Sequence, residues 1–250
     1  MKATTTNSRS IQPSRAAFTL VDLLAILGVL AIGLALLTPA LAHTRPNSTA
    51  FQCFNNLRQL GRAWLMYADD NKETVTYPNW GSSVPGWLYR PVGGSPPNLS
   101  APPYNANPIP AYESGQCWNY IKNMGTYRCP LDKTNTPTFS QRANKMSTYV
   151  MNGALCGYGT LAASIYKLTA FRSDDFLMWE PDSTTPYSYN DASSYPALPE
   201  TIDRRHGKIG GIVLTVGGSV EFVKYADWTT LSADPKKNRL WCNPGTANGR

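Results

Sequence analysis

Two histidines, His43 and His206, are the only imidazoles in this 250-residue chain. A hydrolytic triad needs a histidine oriented by an acid and set against a nucleophile. His43 directly follows a long apolar run, and His206 stands beside Asp203 and Arg205 ahead of a strand-forming stretch, where a turn or packing role is the ordinary use. No H-E-x-x-H, phosphate-binding glycine loop or G-x-S-x-G pattern occurs. Asp69, Asp70 and Asn71 carry the oxygen ligands that calcium prefers, but three adjacent helical residues cannot all face one ion. Five cysteines, Cys53, Cys117, Cys129, Cys156 and Cys242, are too widely spaced for a zinc ribbon or a Cys-x-x-Cys redox pair. These patterns predict no catalytic residue, no metal ligand set and no cofactor, and hence no enzyme. In an oxidising compartment the cysteines would form up to two disulfides with one thiol left over; in the cytosol they would be buried small hydrophobes.

One carboxylate stands out by its surroundings. Asp22 is the only charged residue between Phe18 and Ala42, in the run FTLVDLLAILGVLAIGLALLTPALA. As a helix this run would be roughly 37 Å long, enough to cross a bilayer core. Lys2, Arg9 and Arg15 precede it without any acid, which predicts a cytoplasmic N-terminus, a single-pass helix in the inner membrane and a periplasmic or otherwise extracytoplasmic remainder. A secretory signal peptide is the plainer reading, with Ala40-Leu41-Ala42 as its cleavage site and Pro39 as a helix breaker. Asp22 argues against it, because a carboxylate in such a helix is penalised and by default implies a partner.

Composition excludes one class. Net charge is +7, but three of those charges fall in the first 17 residues. No later run of Lys or Arg exceeds two, and none interleaves with aromatics, so no nucleic-acid partner is expected. With 42% hydrophobic and 16% charged residues, a folded core is expected.

After the apolar run, residues 43–48 interrupt the helix at Pro46, and Ser48 or Thr49 can cap a new start. Leu57, Leu60, Gly61, Trp64, Leu65 and Ala68 then repeat at three and four, predicting an amphipathic helix that ends near Asp69-Asp70-Asn71. Residues 74–116 hold nine prolines among tyrosines and tryptophans and read as a long loop. Tyr77, Trp80, Trp87, Tyr89 and Tyr104 could there offer a sugar-stacking surface or pin the loop to the core. Residues 118–122 read as a short helix, and residues 147–151 and 176–179 as strands. Residues 212–216 and 219–225, joined by Gly217-Gly218, predict an antiparallel hairpin with a two-residue turn.

The octad Ala17-Phe18-Thr19-Leu20-Val21-Asp22-Leu23-Leu24 resembles the cleavage and methylation motif of type IV prepilins and type II secretion pseudopilins. The resemblance implies a membrane peptidase and methyltransferase that cuts between Ala17 and Phe18 and N-methylates Phe18. It also implies that Asp22, one helical turn on, pairs with the terminal amine of a neighbouring subunit. The family usually has Gly before the cut and Glu as the acid; Ala17 and Asp22 stand here. The segment from Cys53 to Asn71 and the element Cys129-Pro130-Leu131-Asp132 resemble a prepilin-like group with a long C-terminal head. In that group a histidine is followed, after nine intervening residues, by Asp-Gly; His206 matches, whereas Val216-Gly217 stands in place of Asp-Gly.

The implied fold is α+β and pilin-like: a long N-terminal transmembrane and amphipathic helix packed on an antiparallel sheet. Residues 1–17 would be the leader, 18–42 the membrane and assembly helix, 43–71 its continuation, and 72–250 the head. The implied function is a pilin or pseudopilin subunit of a homo- or hetero-polymer. Cys117 with Cys129, or Cys53 with Cys129, are its candidate disulfides, and calcium in the head is known in the family, with no matching ligands here. The alternative is a single-span envelope protein that binds polysaccharide through the aromatic loop.

Overall fold

The computed structural model of the chain describes residues 20–81, 84–158 and 165–250, apart from the side chains of residues 34–48. The leader, Ala17 and Phe18 lie outside the described residues. The chain divides into two compact units, Met1–Arg45 and Pro46–Arg250, with the boundary inside the first helix, α1 (Leu20–Asp70).

In the first unit the described side chains of α1, residues 20–33, are all exposed, Leu20 at 73% and Val21 at 72%. The expected pilin-like fold needs correction at this point. No helix among the described residues is long and apolar enough to cross a membrane. Nor is α1 interrupted at residues 43–48. A proline removes one backbone donor, which strains a helix without always ending it.

In the second unit the sheet has the order β3-β1-β2-β4-β5, where β1 is Val150–Asn152, β2 Phe176–Trp179, β3 Ser193–Ser194, β4 Gly210–Thr215 and β5 Val220–Lys224. It is mixed, not antiparallel as expected: β3 runs parallel to β1 (Met151 opposite Ser193), and the other pairings are antiparallel. The cause is the connection. β2 ends where β1 begins, Trp179 lying opposite Val150. A link that stays at that end must re-enter the sheet in the direction of β1.

Both faces of the sheet are covered, which explains why FLMW in β2 and IVL in β4 are unbroken apolar runs. On one face Met151, Leu177, Ile212 and Leu214 join Leu57, Leu60 and Trp64 of α1, at the spacing that marked its apolar stripe. Gly61 permits close packing there, since a Cβ at this position would meet Leu214 Cδ1 at 2.8 Å. On the other face Val150, Phe176, Trp179 and Val213 pack on Trp228 of the last helix (Tyr225–Ala233). Trp228 stacks on Phe176 with ring centroids 6.1 Å apart.

The hairpin between β4 and β5 forms, but its turn has three residues. Thr215 N–H donates to Ser219 O, and Gly218 N–H to Thr215 O. Gly218 alone takes a left-handed φ, +83°. A two-residue type I′ turn needs positive φ at both central positions, whereas one left-handed glycine after a type I turn gives the three-residue loop seen.

Two carboxylates in the link from β2 to β4 are buried on backbone donors. Asp191 accepts from Gly81 N (3.0 Å) and Ser193 N (2.8 Å), and Glu200 from Tyr195 N (2.9 Å). Burial pushes Asp191 up to about 6 and Glu200 up to about 7. The fold thus favours their protonated forms. Their contribution is complete below the unfolded value, near 4, and is lost as pH rises through 6 and 7. The melting temperature should fall by roughly 5–10 °C between pH 5 and pH 8. Glu200→Gln should shrink that fall, as thermal scans at both pH values will read; an equal slope in wild type and variant would count against the assignment.

Candidate metal centre

Four side chains distant in sequence converge inside the second unit. Cys53 lies on the core face of α1, Cys129 follows a 3-10 turn (Met124–Tyr127), Glu180 directly follows β2, and His206 precedes β4. Their ligand atoms all lie within 4.8 Å of one another, and all four residues are buried.

Local hydrogen bonds fix each arm. Asn56, one turn beyond Cys53, donates its amide to Arg128 O at 2.8 Å and so ties the Cys129 segment to α1. Cys129-Pro130-Leu131-Asp132 closes as a turn, with Asp132 N–H donating to Cys129 O at 3.0 Å. Cys129 N–H donates to Thr148 Oγ1, which donates to Asp132 Oδ2 at 2.9 Å. On the other side Asp203 N–H donates to Glu180 O, and Asp203 Oδ1 accepts from Arg205 N at 2.7 Å. That turn delivers Arg205 and His206 to the cluster.

At the centre His206 Nε2 stands 3.0 Å from Glu180 Oε2 and 3.6 Å from Cys129 Sγ. Burial alone would lower the imidazole pKa, but the hydrogen bond to Cys129 and the close contact with the Glu180 carboxyl outweigh it and push it up to about 10. The Cys129 thiol is pushed upward by its contact with Cys53 and by burial. Glu180 is fully buried, yet neither of its oxygens has a hydrogen-bond partner among the described residues, and His206 Nδ1 has none either. Arg205 Nε lies 3.6 Å from Glu180 Oε2, also without hydrogen-bonding geometry.

Of the residues singled out in the sequence, Asp22 lies in the first turn of α1. All five cysteines are buried and none is in a disulfide. Cys53 and Cys129 are brought together. Cys117 belongs to the α1-side core, Cys156 contacts Gly153 O, and Cys242 accepts from Asn152 Nδ2 at 3.6 Å. Tyr77, Trp87 and Tyr89 are buried, so these three give a sugar no face to stack on. The sequence presents His206 as a turn or packing residue and gives little to single out Glu180. Its one signal was a carboxylate directly after the apolar run FLMW.

No protein-family model, no curated protein and no solved structure matches the chain.

Proposed function

We propose that the chain is a prepilin-type subunit, processed between Ala17 and Phe18 and assembled into a filament or pseudopilus in the cell envelope through the start of α1. One observation supports this reading: Asp22 lies in the first turn of a helix whose first turns expose large apolar side chains, and the Ala17–Phe18 junction precedes that helix in sequence. Leu20, Leu24, Leu27 and Leu30 are 73, 60, 53 and 56% exposed. A contiguous apolar surface of this kind calls for a partner, and copies of the same helix in neighbouring subunits supply one of matching chemistry. The head then forms the surface of the assembly, and its role is mechanical. The partners required are the peptidase and methyltransferase that prepare Phe18, and the other subunits.

Mass spectrometry of protein isolated from its native host tests the reading. The N-terminal peptide should begin at Phe18 and carry one methyl group on the amine. A mature terminus at His43 would assign Ala40-Leu41-Ala42 to an ordinary signal peptidase and overturn the proposal.

A further inference from the structure

We propose that Cys53, Cys129, Glu180 and His206 form a closed structural zinc site that ties α1 to the sheet of the head. The inference goes beyond subunit assembly and does not depend on it.

Ligand chemistry selects the metal. Two sulfurs, one imidazole and one carboxylate suit Zn2+, whereas calcium and magnesium take oxygen-only shells. The spacing suits it as well. Zinc bonds of about 2.3 Å to sulfur and about 2.05 Å to nitrogen put a tetrahedral sulfur–nitrogen pair roughly 3.6 Å apart. Cys129 Sγ and His206 Nε2 are 3.6 Å apart. His206 Nε2 and Glu180 Oε2, at 3.0 Å, are slightly closer than the roughly 3.4 Å of an ideal tetrahedron, and a small rotation opens them. The remaining pairs fall within 4.8 Å and need only side-chain adjustment.

A second, independent observation points to a ligand. Glu180 is 0% exposed and neither carboxylate oxygen has a well-formed hydrogen bond, its close neighbours being His206 Nε2 at 3.0 Å and Arg205 Nε at 3.6 Å, which leaves a buried acid incompletely compensated. A cation at the centre of the four groups supplies that compensation. Two thiolates and one carboxylate around Zn2+ leave one negative charge, and the Arg205 guanidinium, paired with Asp203 at 2.7 Å, also lies 3.6 Å from Glu180. On binding, each cysteine releases its proton to solvent and His206 coordinates through a deprotonated Nε2. With four protein ligands, all buried, no position is open for water or substrate, so the site is structural.

The test uses the full-length protein, purified under reducing conditions with no metal added. It should contain about one zinc per chain by elemental analysis. Exchange for Co2+ should give a thiolate-to-cobalt charge-transfer band and the strong visible bands of a tetrahedral centre. Cys129→Ser should weaken zinc affinity by roughly 100-fold or more, and Glu180→Gln, which keeps the side-chain shape, by roughly tenfold or more. Cys156→Ser, outside the cluster, should leave the cobalt spectrum unchanged. Because the wild-type spectrum needs no substitution, a variant that fails to fold does not block the test. A wild-type chain that takes up neither Zn2+ nor Co2+, or a cobalt band that survives Cys129→Ser in folded protein, would overturn the proposal. So would a Cys53–Cys129 disulfide recovered by non-reducing peptide mapping from the native host.

Discussion

Replacing Asp132 with alanine should destabilise the head by about 3–5 kcal/mol. Asp132 receives a two-pronged contact from Arg142, with Nη1 to Oδ2 at 2.8 Å and Nη2 to Oδ1 at 3.0 Å. The two side chains are 1% and 3% exposed, so solvent screens the pair little. Thr148 adds a third hydrogen bond, and the Arg128 and Arg205 guanidiniums approach the same carboxylate to 3.5 Å. Among the described residues Arg142 has no other ion pair. It lies over the Tyr189 ring at 3.6 Å and the Phe139 ring at 5.0 Å, which hold it in place but do not neutralise it. Asp132→Ala therefore leaves a buried cation without its counterion. Asp132→Asn keeps the shape and part of the hydrogen bonding and should cost less. Asp132→Leu combined with Arg142→Met should recover much of the loss, because a buried pair replaced by apolar residues is often nearly neutral. Urea unfolding midpoints for the three variants will show the order. A loss below about 1 kcal/mol for Asp132→Ala would mean that water reaches the guanidinium.

The same residues show what the sequence could and could not reveal. Leu57, Leu60 and Trp64 repeat at helical spacing, and two strand-forming runs flank a glycine pair at the β4–β5 turn, so the local pattern announces both elements. The Cys-Pro-Leu-Asp element was visible as a motif. Its acid proved to be the counterion of Arg142, ten residues on and unconnected to it by any periodicity. The metal-type cluster lay further out of reach. Spacing rules find ligands that share a turn or a helix face, and Cys53, Cys129, Glu180 and His206 come from a helix, a turn, a strand end and a loop. The mixed sheet was hidden for a related reason. β3 is two serines long, and its direction is set by where the connection from β2 returns. Only long-range topology carries that information.

Asp22→Ala should leave cleavage at Ala17–Phe18 intact and reduce assembly at least tenfold. The proposed processing would depend on the residues around the scissile bond, and Asp22 stands four residues after the new terminus. Assembly asks something different of it. The proposed cleavage would create a cationic amine on Phe18, which the docking of apolar helices would bury. A buried amine with no countercharge costs several kcal/mol, enough to shift a polymerisation equilibrium by far more than tenfold. Asp22 sits in the first turn of α1 among Leu20, Val21, Leu23 and Leu24, all at least 49% exposed, so its carboxylate belongs to the surface that would dock. Its negative charge at a helix N-terminus is also favoured by the helix dipole, by at most about 1 kcal/mol at an exposed site. That is too little to account for a tenfold loss of polymer without some loss of helix. Asp22→Asn, which keeps the size and removes the charge, should fail much as Asp22→Ala does, and Asp22→Glu should assemble. The measurement is the yield of sheared filament or cross-linked oligomer at equal amounts of processed protein, with circular dichroism to check that the helix persists. Wild-type yield from Asp22→Ala would remove the carboxylate from subunit docking and leave a non-polymerising envelope protein as the better account.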